Sequence, residues 1–286
     1  MNQFLLVCLN GLTLAAVYFL VASGLTLIFG LMRVITMAHG TSYLLGGYLG
    51  YTITNSTGSW LLGALGAALA VGVLGLLVHQ VLIRRFQDDD LRVALITLGV
   101  SLIGADLMLG RFGGTATQVA LPRSLQVGLE VPLVGQYPLI RLLILVIAVL
   151  VGVGLALFIH RTRYGSIVRA GVDDSEMTSA TGVNVRVVFA LVFLAGSALA
   201  GFAGVVGGTL FPLLPGQDAT YLLFSLVVVI VGGMGSIAGA AIGAALVGLV
   251  SQFALVYTPT YSVVLTFALM VAVLAARPQG LLGRTA

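Results

Sequence analysis

The residues with which this chain could do chemistry are few, and their spacing excludes most of it. His39, His79 and His160 stand too far apart for metal-ligand spacing, Cys8 is the single thiol, and no glycine-rich loop ends in Lys-Ser or Lys-Thr as a phosphate cradle requires. These absences argue against an enzyme and provide no cofactor site, so any ATP consumed must be bound by another chain. One thiol allows no intrachain disulfide. What remains is a polar island, RTRYGSIVRAGVDDSEMTSATGVNVR from Arg161 to Arg186, between two long apolar stretches. Its composition predicts a short exposed helix-turn-helix on one side of a membrane. Arg169 and Asp173 are four apart and can share a helix face, while Gly182 suits a helix C-terminus, where a residue without Cβ accepts positive φ. The chemistry on offer is docking to a water-soluble partner.

The rest of the composition says what carries that island. Apolar residues make up 59% of the chain and charged residues 8%, against roughly 45–50% and about 25% in soluble domains. This is the composition of an integral membrane protein. All 13 basic residues are arginine and the formal net charge is only +4, which marks loop chemistry and gives no footprint for nucleic acid. Met1 to Met32 carries no charged side chain, and its apolar run exceeds the roughly 7–15 residues of a signal-peptide core, so it reads as a retained span. Arg33 after it favours an N-terminus outside the cytoplasm.

About 20 apolar residues cross a bilayer. By that measure residues 4–31 make one span and 40–83, broken by NSTGS at 55–59, make two. Arg84, Arg85 and Arg92 flank the acidic run at 88–90 in a cytoplasmic loop, because arginine sets orientation and acids count for little. Residues 93–110 cross outward and 138–160 return, joined by an outer loop at 111–137 whose alternation (LQVGLEVPLVG) reads as a small extended hairpin. The polar island then falls on the same side as the first arginine loop. Residues 187–208 cross to the loop at 211–218. The uncharged stretch 219–276 makes three spans with breaks near 232–236 and 258–260, returning Arg277 and Arg284 to the cytoplasm. The expected fold is all-α, a single transmembrane domain over 1–286 with about eight to nine spanning or partly spanning helices.

Glycine is abundant, 38 residues, about twice the usual share of roughly 7%, as close packing of membrane helices requires. Gly235, Gly239 and Gly243 recur every four residues on one expected helix face. Gly232 and Gly233 are adjacent and mark a break or hinge. Only Asp106 falls inside a span and Asp218 borders another; both are expected at the membrane interface. A proton- or sodium-coupled carrier needs more than this, although broken helices can also hold ions through backbone carbonyls. A path without charged partners holds an amino acid weakly, so specificity would reside in a separate binding protein.

Four blocks resemble the LivH-type permeases of bacterial branched-chain amino-acid ABC transporters: GLTLIFGLMRVITMAHGTSYLLGGY at 24–48, RTRYGSIVRAGVDDSEMTSATGVN at 161–184, VVVIVGGMGSIAGAAIGA at 227–244 and RPQGLLGR at 277–284. The resemblance implies that 161–186 is the cytoplasmic coupling loop that docks into an ATPase, with Gly165, Arg169, Ala170, Ala180 and Gly182 matching its motif. Met37, Ala38, His39 and Gly40 match in the first block. There His39, expected at the cytoplasmic end of a span, serves either a structural hydrogen bond or gating. Thr36 stands where the family has Asn, and Ala238 where Pro is common, which puts a fixed break there in doubt. The implied partners are a LivM-like second permease, two cytoplasmic ATPase subunits and an extracytoplasmic substrate-binding protein, assembled in the lipid of the bacterial inner membrane. The implied substrates are branched-chain amino acids or, in related permeases, urea and short-chain amides. A stand-alone secondary carrier or channel, and a membrane scaffold, stay as readings of other classes.

Overall fold

The computed structural model describes residues 2–32, 36–86, 89–122, 125–131, 135–173, 175–180 and 182–283. Arg33 and Arg284, used above for orientation, lie outside the described residues. The helices follow the apolar runs: α1 (Asn2–Met32), α2 (His39–Thr57), α3 (Trp60–Val78), α4 (Asp90–Phe112), α5 (Leu139–Arg161), α6 (Arg163–Asp173), α7 (Ser175–Ala180), α8 (Val185–Leu210), α9 (Asp218–Gly232), α10 (Ile237–Tyr257) and α11 (Ser262–Ala276). Seven are long and apolar enough to cross a membrane: α1, α4, α5, α8, α10, α3 with its continuation to Phe86, and α11 with the turn before it. The other two membrane helices are partial. At 1.5 Å per residue, α9 with its 15 residues is about 22 Å long, short of a hydrocarbon core of about 30 Å, and α2 is buried among its neighbours.

Punctuation sits where backbone chemistry demands it. Gly58 ends α2 at φ 70°, donating its N–H to Thr54 O. Ser59 then caps α3, its hydroxyl accepting from Leu62 N. Asp89 caps α4 by accepting from Arg92 N. The expected outer hairpin is present as β1 (Gly128–Val131) and β2 (Gly135–Pro138), antiparallel with Leu129 opposite Tyr137. It belongs to an outer segment that docks on the end of α8, where Val119 N donates to Gly208 O at 2.9 Å and Gln118 Nε2 to Thr209 O at 2.9 Å.

At the centre, α1 packs against α10, α8, α5 and α9, and α8 against α3, α2 and α1. Lipid offers no hydrophobic drive between helices, so the attraction comes from close approach of backbones. A Cβ on Gly46 of α2 would lie 2.3 Å from Gly201 Cα of α8, and one on Gly24 of α1 would lie 2.4 Å from Gly196 O. Leu61, Leu65, Leu102, Val149 and Val264 of the outer helices are more than half exposed, as a lipid-facing rim requires.

Candidate functional site

The polar island folds into two short helices, α6 and α7, built against the end of α5. Thr162 is the joint: its N–H closes α5 onto Phe158 O at 3.3 Å, and its Oγ1 accepts from Gly165 N at 3.0 Å, capping α6. The chain reverses so tightly that a Cβ on Gly165 would meet Phe158 O and Ile159 O, each at 2.4 Å. Arg169, about one turn on, donates through Nη1 to Ile159 O. That carbonyl is one of the orphan acceptors at a helix C-terminus, the end that also attracts positive charge. Arg169 is therefore a positioning residue between α5 and α6. Asp173 closes α6, and its side chain lies outside the described ones.

Val168 on the inner side of α6 packs with Leu27 of α1 and Val192 of α8. Tyr164, 68% exposed, and Ala170 are exposed on α6, and α7 adds Met177, 65% exposed. Ala180 is exposed, and Gly182 turns the chain at φ 86°, its N–H bonded to Ser179 O at 3.0 Å. Tyr164 and Met177 did not emerge from motif matching. The signal available for them was two large apolar residues within a polar segment.

The first block lies deeper than its reading placed it. His39, 2% exposed, donates from Nε2 to Val21 O of α1 at 2.9 Å; a carbonyl only accepts, so Nε2 carries the proton. The ring also lies against the site of Gly24, in the second half of α1. His39 is thus not at the cytoplasmic end of a span, because α2 starts within the bundle, and the bond it makes is of the structural kind. Met37 N–H is bonded to Thr97 Oγ1 of α4 at 3.1 Å. Gly40 is held against α9, where a Cβ would come within 2.0 Å of Asp218 O.

Asp218 departs from expectation in the same way. It is 7% exposed, and its Oδ2 accepts from Thr41 Oγ1 of α2 at 3.0 Å and from Ser101 Oγ of α4 at 3.3 Å, Ser101 being at the middle of α4. The cause is the loop after α8. Leu213 pairs with Thr117 and is fully buried, so the chain re-enters the bundle before α9 begins. The first turns of α2 and α9 therefore converge within the helix bundle. Two helix N-termini supply partial positive charge to one carboxylate, with no basic side chain in an ion pair to it among the described residues.

The late glycines form the turn and contact of α9 and α10. Cβ atoms on Gly232 and Gly239 would each lie 2.2 Å from the other's carbonyl oxygen, and one on Gly243 would lie 2.6 Å from Val228 O. Gly235 is not on the face of Gly239 and Gly243: it precedes α10, at φ 81°, while Gly233 stands at φ 106°. These two residues and the Ser236 cap, which accepts from Gly239 N at 3.0 Å, make the break without a proline, so Ala238 does not impair it. The tail then seals it, Leu281 N donating to Val231 O at 3.0 Å and Leu282 N to Gly232 O at 2.9 Å.

Between α1, α9, α10 and α11 lies a cavity of about 380 Å³. Its walls include Tyr18, Tyr221, Phe224 and Leu255, with Gln217 and Gln252 as neutral polar groups, and no charged side chain lines it among the described residues. Such a space accommodates an aliphatic or amide group and offers nothing to neutralise a charge.

Residues 7–274 match the family model described as branched-chain amino acid transport system / permease component. The chain is 33% identical to the high-affinity branched-chain amino acid transport system permease protein BraD of Pseudomonas aeruginosa, covering 96% of this chain and 94% of that protein. It is 32% identical to LivH of Escherichia coli K12, covering 98% and 96%. LivM of the same organism is 28% identical, covering 96% of this chain and 69% of LivM. No solved structure matches the chain.

Proposed function

The chain belongs to the family of permease components of branched-chain amino acid transport systems, and from that premise we propose that it is the membrane subunit of an ATP-driven importer. In this reading a single transmembrane domain over 1–286 encloses the path together with a LivM-like second permease in the bacterial inner membrane. Two cytoplasmic ATPase subunits bind and hydrolyse ATP, and this chain holds no cofactor of its own. An extracytoplasmic binding protein delivers substrate to the outer loops at 111–137 and 208–220.

The observation that carries the reading is the α6–α7 element. It is short, tied to α5 through Thr162, Gly165 and Arg169, and presents Tyr164, Ala170 and Met177 outward. A protrusion fixed to the end of a span passes a push from a soluble partner to that span, which a loose loop cannot do. ATP then biases two arrangements of the helices by binding them unequally.

Leucine, isoleucine and valine are the proposed substrates. The uncharged lining of the 380 Å³ cavity favours urea or short-chain amides as the second reading. Co-purification of a tagged copy expressed with its native gene neighbours tests the assembly. Recovery of two ATPases and a second permease is the expected outcome; recovery of this folded chain alone, with ATP-independent flux in liposomes, would establish a secondary carrier instead. Competition of labelled leucine uptake by excess urea or acetamide separates the substrates.

A further inference from the structure

At the cytoplasmic boundary, a recess of about 290 Å³ opens between the end of α3 and the start of α8. We propose that it binds the phosphate group of an anionic phospholipid. Its polar lining is His79, Gln80, Arg84, Asn184 and Arg186, and no acidic side chain lines it among the described residues. Two arginines from different elements thus line one space, with two carboxamides beside them, a set that can complete the hydrogen bonding of a phosphate diester. Leu76, Val187 and Leu191 form the other wall. Val187 and Leu191, on this apolar side, are both about half exposed, which leaves an apolar groove open to the bilayer. A free anion has no use for that groove, whereas an acyl chain does, and the combination commits the site to lipid.

The local backbone supports a built site. The continuation of α3 from His79 to Ile83 is a π turn, closed by Arg84 N onto His79 O. A π turn inserts one residue into the helical register, and the next residue, Arg84, lines the recess. On the other side Asn184 immediately precedes α8, where the chain returns from α7. A headgroup held there ties the exit of the α6–α7 element to the end of α3. This consequence rests on the cytoplasmic placement of residues 161–186; the binding itself does not depend on the ATPase.

Native mass spectrometry of the purified full chain, delipidated and titrated with phosphatidylglycerol, phosphatidylcholine or inorganic phosphate, tests the site. The expected result is one tightly held phosphatidylglycerol, weak phosphatidylcholine adducts, and no displacement of lipid by millimolar phosphate. Arg84→Gln with Arg186→Gln should weaken phosphatidylglycerol by roughly thirtyfold, the combined weight of two arginines at an anionic surface. Arg277→Gln, a charge removed elsewhere on the same face, should leave it unchanged. Leu191→Trp, which fills the groove and keeps both arginines, should weaken the lipid as well, so a poorly folded double variant does not rescue the idea. Equal loss in Arg277→Gln would reduce the effect to general surface charge, and displacement by phosphate would make it a free-anion site; either outcome overturns the proposal. Failure to recover ATPases in the co-purification would leave this result untouched, so the two readings fail separately.

Discussion

Arg169 stands for what a single residue does here. The sequence offered it a partner four residues on, in Asp173, whose side chain lies outside the described ones; the structure bonds its guanidinium to Ile159 O. Spacing within a helix cannot reveal that acceptor, because it belongs to the preceding helix and is reached only through the reversal at Thr162. Arg169→Ala should loosen α6 from α5 and lower ATP-driven uptake roughly tenfold, the worth of one charge-assisted hydrogen bond of about 1.5 kcal/mol. Substrate affinity of the binding protein should stay unchanged. Uptake at the native rate in proteoliposomes would detach the bond from coupling. Asp218 is the second case. Its carboxylate is satisfied by Thr41 and Ser101 and by two helix N-termini, and a loop that dips into the bundle is invisible in hydropathy. Asp218→Leu removes the acceptor and should cost about 1–3 kcal/mol in detergent thermal unfolding, with Asp218→Asn closer to native. Equal stability of all three proteins would show that the carboxylate ties nothing.

Among the elements, existence and order were legible: apolar length and turn chemistry predicted each membrane helix, the outer hairpin, and both breaks in 219–276. Depth was not. A span estimated from apolar length is assumed to start at the surface, yet α2 and α9 start inside the bundle, where protein groups take over the hydrogen bonding that water would supply. Glycine abundance announced close packing without naming partners, since the pairs that touch, such as Gly46 with Gly201, come from segments far apart in the chain. Gly46→Val would drive its side chain into the α8 backbone, which lies 2.3 Å from the first added carbon. Backbone cannot rotate away as a side chain can, so the cost should be about 1–3 kcal/mol, read as a lower unfolding temperature. Gly99→Val, at a site where a Cβ meets nothing within 4 Å, is the control and should melt with the native protein.

For the whole molecule, the decisive property is which face looks into the cytoplasm. The described arginines divide unequally: Arg84, Arg85 and Arg92 before α4, Arg161, Arg163, Arg169 and Arg186 around α6 and α7, and Arg277 after α11 share one face, while Arg111 and Arg141 lie towards the other. The count of helices forces this grouping, because α4 with α5, α8 with α9, and α10 with α11 each make a round trip. Positive charge is retained on the cytoplasmic side during insertion, so the larger group predicts the orientation in which the α6–α7 element faces the cytoplasm, as the proposed function requires. In a Cys8→Ser background, a cysteine in place of Asp89 should resist a membrane-impermeant maleimide added to intact spheroplasts, and one in place of exposed Gln126 should be labelled. Permeabilised cells should show both sites labelled, which separates orientation from burial. The reverse pattern in intact spheroplasts would turn the molecule over. It would put Tyr164 and Met177 outside, beyond the reach of any ATPase, and leave the hairpin β1–β2 as the cytoplasmic contact.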